Sequence, residues 1–194
     1  MRRKLTQRGR QRREQLMHRA ARLFAERGYD PTSVADIVES LGVGKGVFYW
    51  YFTSKEELLA EILKASNHDL RRRQEAAIGD EPDPLERIAI GVRASLEWFR
   101  DHRDYFSIIQ FAATDERFAP VLRRNRETAL GDTIRHLKDA IVAGRIPDQD
   151  PEMLALAVLG VVEQLTRRYL VDGDEPVDRV GAAAVSFCLH GLGG

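Results

Sequence analysis

The chain has 194 residues, 43% of them hydrophobic and 31% charged, with 30 Lys and Arg balanced by 30 Asp and Glu. This composition excludes a disordered chain. The longest apolar run, residues 153–162, is too short for a membrane span, which takes roughly 20 residues.

Zero net charge argues against a polyanionic partner only until the charge is located. Residues 1–55 carry 12 Lys and Arg against 5 Asp and Glu, a net of +7, so the remainder carries −7. The first thirteen residues hold Arg2, Arg3, Lys4, Arg8, Arg10, Arg12 and Arg13 and no acid. They read as a basic arm attracted to polyanions, or as a solubility tail. No apolar stretch of a secretory leader develops here, and a mitochondrial presequence lacks its amphipathic face, because Leu5 is the one large apolar residue before Leu16.

The elements that follow all read as helix. Leu16, Ala20, Leu23 and Phe24 share a face, and Gly28 ends that helix. Val34, Ile37, Val38 and Leu41 predict a second helix of about two turns, started by Thr32 or Ser33 and stopped by Gly42. A third short helix spans about 44–52. Ser54 and Glu57 form a capping box that opens a long helix to about Ile78. After the break at 79–84, Asp83 and Pro84 start a helix with Leu85, Ile88, Val92, Leu96 and Phe99 on one face. Residues 101–104 interrupt, an aromatic helix follows from Tyr105 to about Ala113, and another runs from near Pro120 to Gly144. Asp150 and Pro151 start an apolar helix to about Val171, and a last helix carries Val180, Ala184, Phe187 and Gly191. No strand alternation or internal repeat is present. The expected fold class is all-α with about nine helices, arranged as a flexible basic arm (1–9), a helix-turn-helix domain (10–53) and a second helical domain (54–194).

Two short helices joined by a tight glycine turn are the grammar of a helix-turn-helix. On the third helix a 100° step puts Phe48, Tyr51 and Phe52 inward, and Gly46 and Trp50 outward, flanked by Lys45, Val47 and Tyr49. That outward face suits a major-groove reader: Gly46 lets the backbone approach, Tyr49 and Trp50 supply apolar surface and a donor, and Lys45 supplies charge. Thr32, Ser33 and Lys55 are placed at helix starts to grip phosphates.

These residues carry a resemblance to the TetR family of bacterial transcriptional repressors. It runs from Ala20-Ala-Arg-Leu-Phe-Ala-Glu-Arg-Gly-Tyr29 through Thr32, Ser33, Val34, Ile37, Leu41, Gly42, Val43, Lys45, Gly46, Phe48, Tyr49, Tyr51, Phe52, Ser54, Lys55 and Glu56 to Leu58 and Leu59. The resemblance implies DNA contacts at Thr32, Ser33, Lys45, Gly46, Val47, Tyr49, Trp50, Tyr51 and Lys55. Gly44 departs from the usual Ser, and Val47 from a small or hydroxylated residue, which bears on the operator sequence. The family implies operator DNA and a small-molecule inducer as partners, and a homodimer through the last two helices, in the bacterial cytoplasm, nucleoid-associated when bound to DNA. The sequence supports the dimer independently, because the helix at 151–171 is apolar or small on every side and Gly181, Ala182, Ala183 and Ala184 permit close approach. One buried central helix is the alternative.

Trp98, Phe99, Tyr105, Phe106, Phe111 and Phe118, with Leu122, read as walls of a largely apolar inducer pocket, and Arg126, Glu163, Gln164 and Arg167 as its polar groups. Core aromatics with bundle salt bridges are the competing reading. No cofactor or metal is expected: the five histidines are isolated, and Cys188 sits among small apolar residues. The segment Gly42-Val-Gly-Lys-Gly46 lacks the first glycine, the Ser/Thr and the preceding strand of a phosphate loop, so an enzyme is not expected. A helix-turn-helix protein without small-molecule gating is the alternative function.

Overall fold

A computed structural model describes residues 5–191. Among the described residues are nine α-helices and no strand, as the periodicity requires. They are α1 (Gln7–Arg27), α2 (Val34–Glu39), α3 (Lys45–Tyr51), α4 (Lys55–Ile78), α5 (Pro84–Asp101), α6 (Arg103–Ala113), α7 (Ala119–Val142), α8 (Pro151–Leu165) and α9 (Val177–His190). A single 3₁₀ turn, Glu116–Phe118, leads into α7.

Two compact units divide the chain. The first falls within Met1–Ser66 and Ser107–Leu122, the second within Asn67–Phe106 and Arg123–Gly194. The core of the first unit is built by Leu16, Ala20, Leu23 and Phe24 of α1, Ile37 and Val38 of α2, Phe48 of α3, Phe52, and Leu58, Leu59, Ile62 and Leu63 of α4. Ile108, Ala112 and Phe118 are buried as well. In the second unit Ile88, Val92 and Leu96 of α5, Leu137 of α7, Ala155 and Val162 of α8, and Val180, Ala184 and Val185 of α9 form one core. A Cβ on Gly181 would stand 3.7 Å from Arg93 Cγ and 4.0 Å from Leu96 Cδ1, so a small residue lets α9 lie close on α5.

Several boundaries differ from the sequence reading. The flexible arm expected over 1–9 is helical from Gln7, because the Thr6 hydroxyl accepts from the Gly9 N–H at 3.2 Å and starts α1 there. Its first four residues lie outside the described ones. Arg13, counted with the arm, pairs with Glu61 at 2.5 Å and lies 5.1 Å from the centre of the Phe52 ring, so it fastens α1 to α4. Glu57 reaches back one residue further than expected, accepting from the Thr53 N–H at 2.6 Å and the Thr53 hydroxyl at 2.7 Å, while Ser54 Oγ accepts from the Glu57 N–H. The helix begun at Pro151 changes winding at Thr166: a π-helical turn, Thr166–Val171, closes its ladder five residues back, from the Asp172 N–H to the Arg167 carbonyl at 2.9 Å.

The turn between α2 and α3 depends on Gly42, whose φ of +64° is a left-handed conformation. Its N–H bonds the Glu39 carbonyl at 2.9 Å, and the next N–H, of Val43, bonds the Val38 carbonyl at 3.0 Å. Nothing lies within 4 Å of a Cβ built there, so the cost of a side chain is conformational alone. Gly42→Ala is expected to lose about 1–2 kcal/mol of unfolding free energy in urea titrations followed by helical circular dichroism. Gly44→Ala, at φ −79° and equally open, meets no left-handed strain and is expected to lose only the difference between glycine and alanine as an N-cap, about 0.5–1 kcal/mol.

Candidate nucleic-acid interface and cavities

The recognition helix α3 is held by what it buries. Phe48 and Phe52 are fully buried, 5.7 Å apart between ring centres, and Tyr49 meets Phe48 edge-on at 5.3 Å. One aromatic pair therefore anchors the helix and leaves the opposite face outside. On that face Lys45 and Gly46 are exposed, Tyr49 is 57% exposed and Trp50 is 64% exposed. Val47 and Tyr51 are half-buried. Gly44, the N-cap, supplies no side-chain bond to the first turn, which is the weaker start its sequence implies.

The three residues expected to grip phosphates all make hydrogen bonds within the protein, Ser33 from an exposed position. Thr32 is buried, and its hydroxyl donates to the Gly28 carbonyl at 2.7 Å while its N–H bonds the Tyr29 carbonyl. Ser33 caps α2: its Oγ donates to Asp36 Oδ2 at 2.5 Å and accepts from the Asp36 N–H, and Asp36 takes the Ser33 N–H at 2.7 Å. Those bonds hold the Asp36 carboxyl below its ordinary pKa. Lys55 Nζ donates to the carbonyls of Tyr29 (2.8 Å), Thr32 (2.9 Å) and Asp30 (3.3 Å), and sits 4.2 Å from the centre of the Tyr29 ring. A cation at the first position of a helix opposes that helix's own dipole. Its position makes sense for the α1–α2 loop that it clamps. Exposed cations remain in Lys45 on α3 and in Arg8 and Arg10 on α1.

Sequence reasoning missed the cluster around Tyr29. Phe111 stacks on its ring at 4.8 Å, Phe118 meets it edge-on at 5.6 Å, and Phe24 lies at 5.0 Å. The Arg117 guanidinium lies 5.7 Å from the Tyr29 ring centre and pairs with Asp115 at 2.6 Å and Glu56 at 3.0 Å. Burial first, and then the Glu56 carboxylate, push the Tyr29 hydroxyl above its ordinary pKa. The partners come from positions 24, 56 and 111–118, a separation no local pattern reveals.

The ten expected ligand residues are divided between the two units. Phe111, Phe118 and Leu122 belong to the first unit, with the two phenylalanines packed on Tyr29. Trp98, Phe99 and Phe106 belong to the second unit, where Trp98 is a buried pillar: its indole N–H donates to Asp69 at 2.9 Å and its ring stacks on His102 at 4.2 Å. Arg126, Glu163, Gln164 and Arg167 belong to the second unit too, with Glu163, Gln164 and Arg167 on its surface, and Arg167 bonds Gln164 at 2.5 Å. None of the ten lines either of two cavities within the second unit. One, of about 90 Å³, has mixed walls including Arg71, Gln74, Asp132, His136, Val158 and Leu159. Arg71 and Asp132 are ion-paired there at 2.7 Å, and burial lowers the pKa of His136. The other, of about 280 Å³, is walled mainly by apolar side chains, Leu85, Ile88, Leu137, Ile146, Leu154 and Val161 among them, with Gln149 at its edge. Ile88 and Val158 line both.

An all-α chain with a helix-turn-helix whose second helix presents an exposed aromatic face defines a DNA-binding regulator rather than an enzyme. Residues 16–62 match the family model described as bacterial regulatory proteins, tetR family, and residues 81–192 match a tetracyclin repressor-like C-terminal domain. The chain belongs to the TetR family of transcriptional regulators. It is 32% identical to the transcriptional regulator TtgR of Pseudomonas putida, over 87% of this chain and 84% of that protein. It is 29% identical to the transcriptional repressor KstR2 of Mycobacterium tuberculosis, over 93% and 92% respectively. Among solved structures, PfmR from Thermus thermophilus superposes with a TM-score of 0.77 at 27% identity, covering 91% of this chain and 98% of that one. Among the described residues no helix is long and apolar enough to cross a membrane, and no group of three or more His, Cys, Asp or Glu is placed to hold a metal ion.

The different placements of Lys45 and Lys55 give a direct check. Lys45→Met is expected to lower the salt dependence of DNA binding by about one counterion per recognition helix. Lys55→Met is expected to leave that slope unchanged and to destabilise the protein by roughly 2 kcal/mol or more, since it strips a charged donor from three carbonyls. Filter binding across a salt series and urea unfolding of both variants measure the two effects.

Proposed function

We propose that the protein is a repressor that binds operator DNA as a homodimer and is released by a small molecule bound in the second unit. The observation that carries the DNA reading is the exposed face of α3, where Tyr49 and Trp50 stand outside while Phe48 is buried. Lys45 and Gly46 complete that face, and the half-buried Val47 and Tyr51 border it. Two such helices on a two-fold would enter major grooves about one DNA turn apart, or a multiple of it.

The dimer reading is supported by side chains that α8 and α9 leave uncovered. Met153 is 69% exposed, Leu156 41% and Phe187 45%, and Ala182 and Ala183 are exposed as well. Apolar surface of this kind on paired helices is what an isologous interface buries. Leu156→Arg is expected to shift the protein from dimer to monomer in sedimentation velocity at micromolar concentration and to weaken operator binding. A parent protein that sediments as a monomer would remove the dimer from the account.

The gating reading rests on two adjoining cavities of the second unit, which share Ile88 and Val158. The apolar one approaches the 300–1,000 Å³ of common ligand sites, and the mixed one is well below it, so a ligand spanning both must favour a widened state. KstR2, similar to this chain at 29% identity, is described as a ketosteroid transcriptional regulator, which makes polycyclic apolar compounds the first class to screen. Val158→Trp, at a wall common to both cavities, is expected to abolish ligand-induced thermal stabilisation and keep DNA binding. A ligand that releases the protein from its operator must weaken operator binding by the same factor by which DNA weakens the ligand. A stabilising ligand that changes operator affinity less than about twofold would leave an ungated DNA-binding protein, the alternative function.

A further inference from the structure

We propose that α3 reads its operator chiefly through the methyl groups of thymine, and that Trp50 is the main specificity-determining residue. The inference rests on the DNA-binding reading of α3 and adds the chemistry of what it recognises.

From Gly44 to Tyr51 the sequence is Gly-Lys-Gly-Val-Phe-Tyr-Trp-Tyr. A bidentate grip on adenine takes Asn or Gln, the commonest grip on guanine takes Arg or Lys, and acceptance from cytosine takes Asp or Glu. Of these the helix carries only Lys45, an exposed residue in its first turn, one turn before Tyr49. The hydroxyls of Tyr49 and Tyr51 and the indole N–H of Trp50 form single hydrogen bonds. A lone donor to a purine N7 does not tell adenine from guanine, because both present that acceptor. Polar readout by α3 is therefore poor in information.

Apolar readout is not. Trp50 is the most exposed aromatic of the helix, with Tyr49 beside it. Gly46 lies one turn before Trp50, and nothing stands within 4 Å of the position its Cβ would take. The backbone is free to approach the groove floor at that point, which brings Trp50 down to the base edges. The apolar group that the major groove offers there is the C5-methyl of thymine. Covering one methyl with ring surface corresponds to about a fourfold gain in affinity.

The test uses the whole protein and duplexes that it selects from a random pool. In the most enriched duplex each thymine is replaced singly by deoxyuridine, which removes the methyl and keeps every hydrogen-bonding group. The expected result is a loss of about fourfold at one or two thymines in each half-site, with 7-deazaadenine substitutions costing less than about twofold. Trp50→Ala, with its helical circular dichroism checked against the parent, is expected to bind thymine and deoxyuridine duplexes equally. Trp50→Phe is expected to keep part of the difference. Deoxyuridine duplexes bound as well as thymine duplexes, or a greater loss on removing adenine N7, would overturn the inference and leave DNA binding standing. A pool that yields no enriched duplex would overturn the DNA-binding reading and this inference with it.

Discussion

The first unit depends on one ammonium group. Lys55, the first residue of α4, reaches across to the α1–α2 loop and satisfies the carbonyls of Tyr29, Asp30 and Thr32 while resting on the Tyr29 ring. Charged hydrogen bonds of this kind contribute about 1.5–3 kcal/mol each when removal leaves the partner unsatisfied. Through this contact the end of α1, the start of α2 and the start of α4 are fixed to one point, and α3 is the element between the last two. The Tyr29 ring is also the seat of Phe24, Phe111 and Phe118, so chain segments far apart in sequence share one anchor.

That arrangement divides the labour of the site. Residues that hold the helix-turn-helix together, namely Thr32, Ser33, Phe48, Phe52 and Lys55, engage their polar and apolar groups internally. Residues that face outward, namely Lys45, Gly46, Tyr49 and Trp50, offer one ammonium, one hydroxyl and one indole N–H beside a large aromatic surface. The outward face is suited to shape and apolar contact more than to gripping phosphate. Backbone attraction then falls to Lys45 and the exposed arginines of α1, in the +7 part of the chain, while the −7 remainder repels DNA that strays onto it.

Much of this was legible in the sequence. The period-3.6 stripes predicted the helices because each stripe ends in a glycine, a proline or a cap, and such signals are local. The inward set Phe48 and Phe52 and the outward set Gly46 and Trp50 followed from helical geometry alone. What stayed hidden needed distance. A lysine after a Ser cap reads equally as a phosphate ligand or an internal clamp, and only the loop carbonyls within reach of Lys55 decide. Thr32 and Ser33 both look like N-caps, and burial of Thr32 separates them. The aromatic residues from Trp98 onward are close in sequence, but no local pattern shows that Phe111 and Phe118 pack on Tyr29 or that Trp98 meets Asp69 and His102. The cavities of the second unit are walled by residues with no local signature, such as Ile88 and Val158, which read as ordinary stripe positions.

A crystal structure of the protein on its selected duplex would show whether α3 meets the bases while Lys55 keeps its internal bonds. Tyr49 and Trp50 are expected in the major groove, with Lys55 Nζ still within hydrogen-bond distance of the Tyr29 and Thr32 carbonyls. Lys55 turned out to a phosphate, with those carbonyls released or Trp50 facing away from the bases, would contradict that expectation.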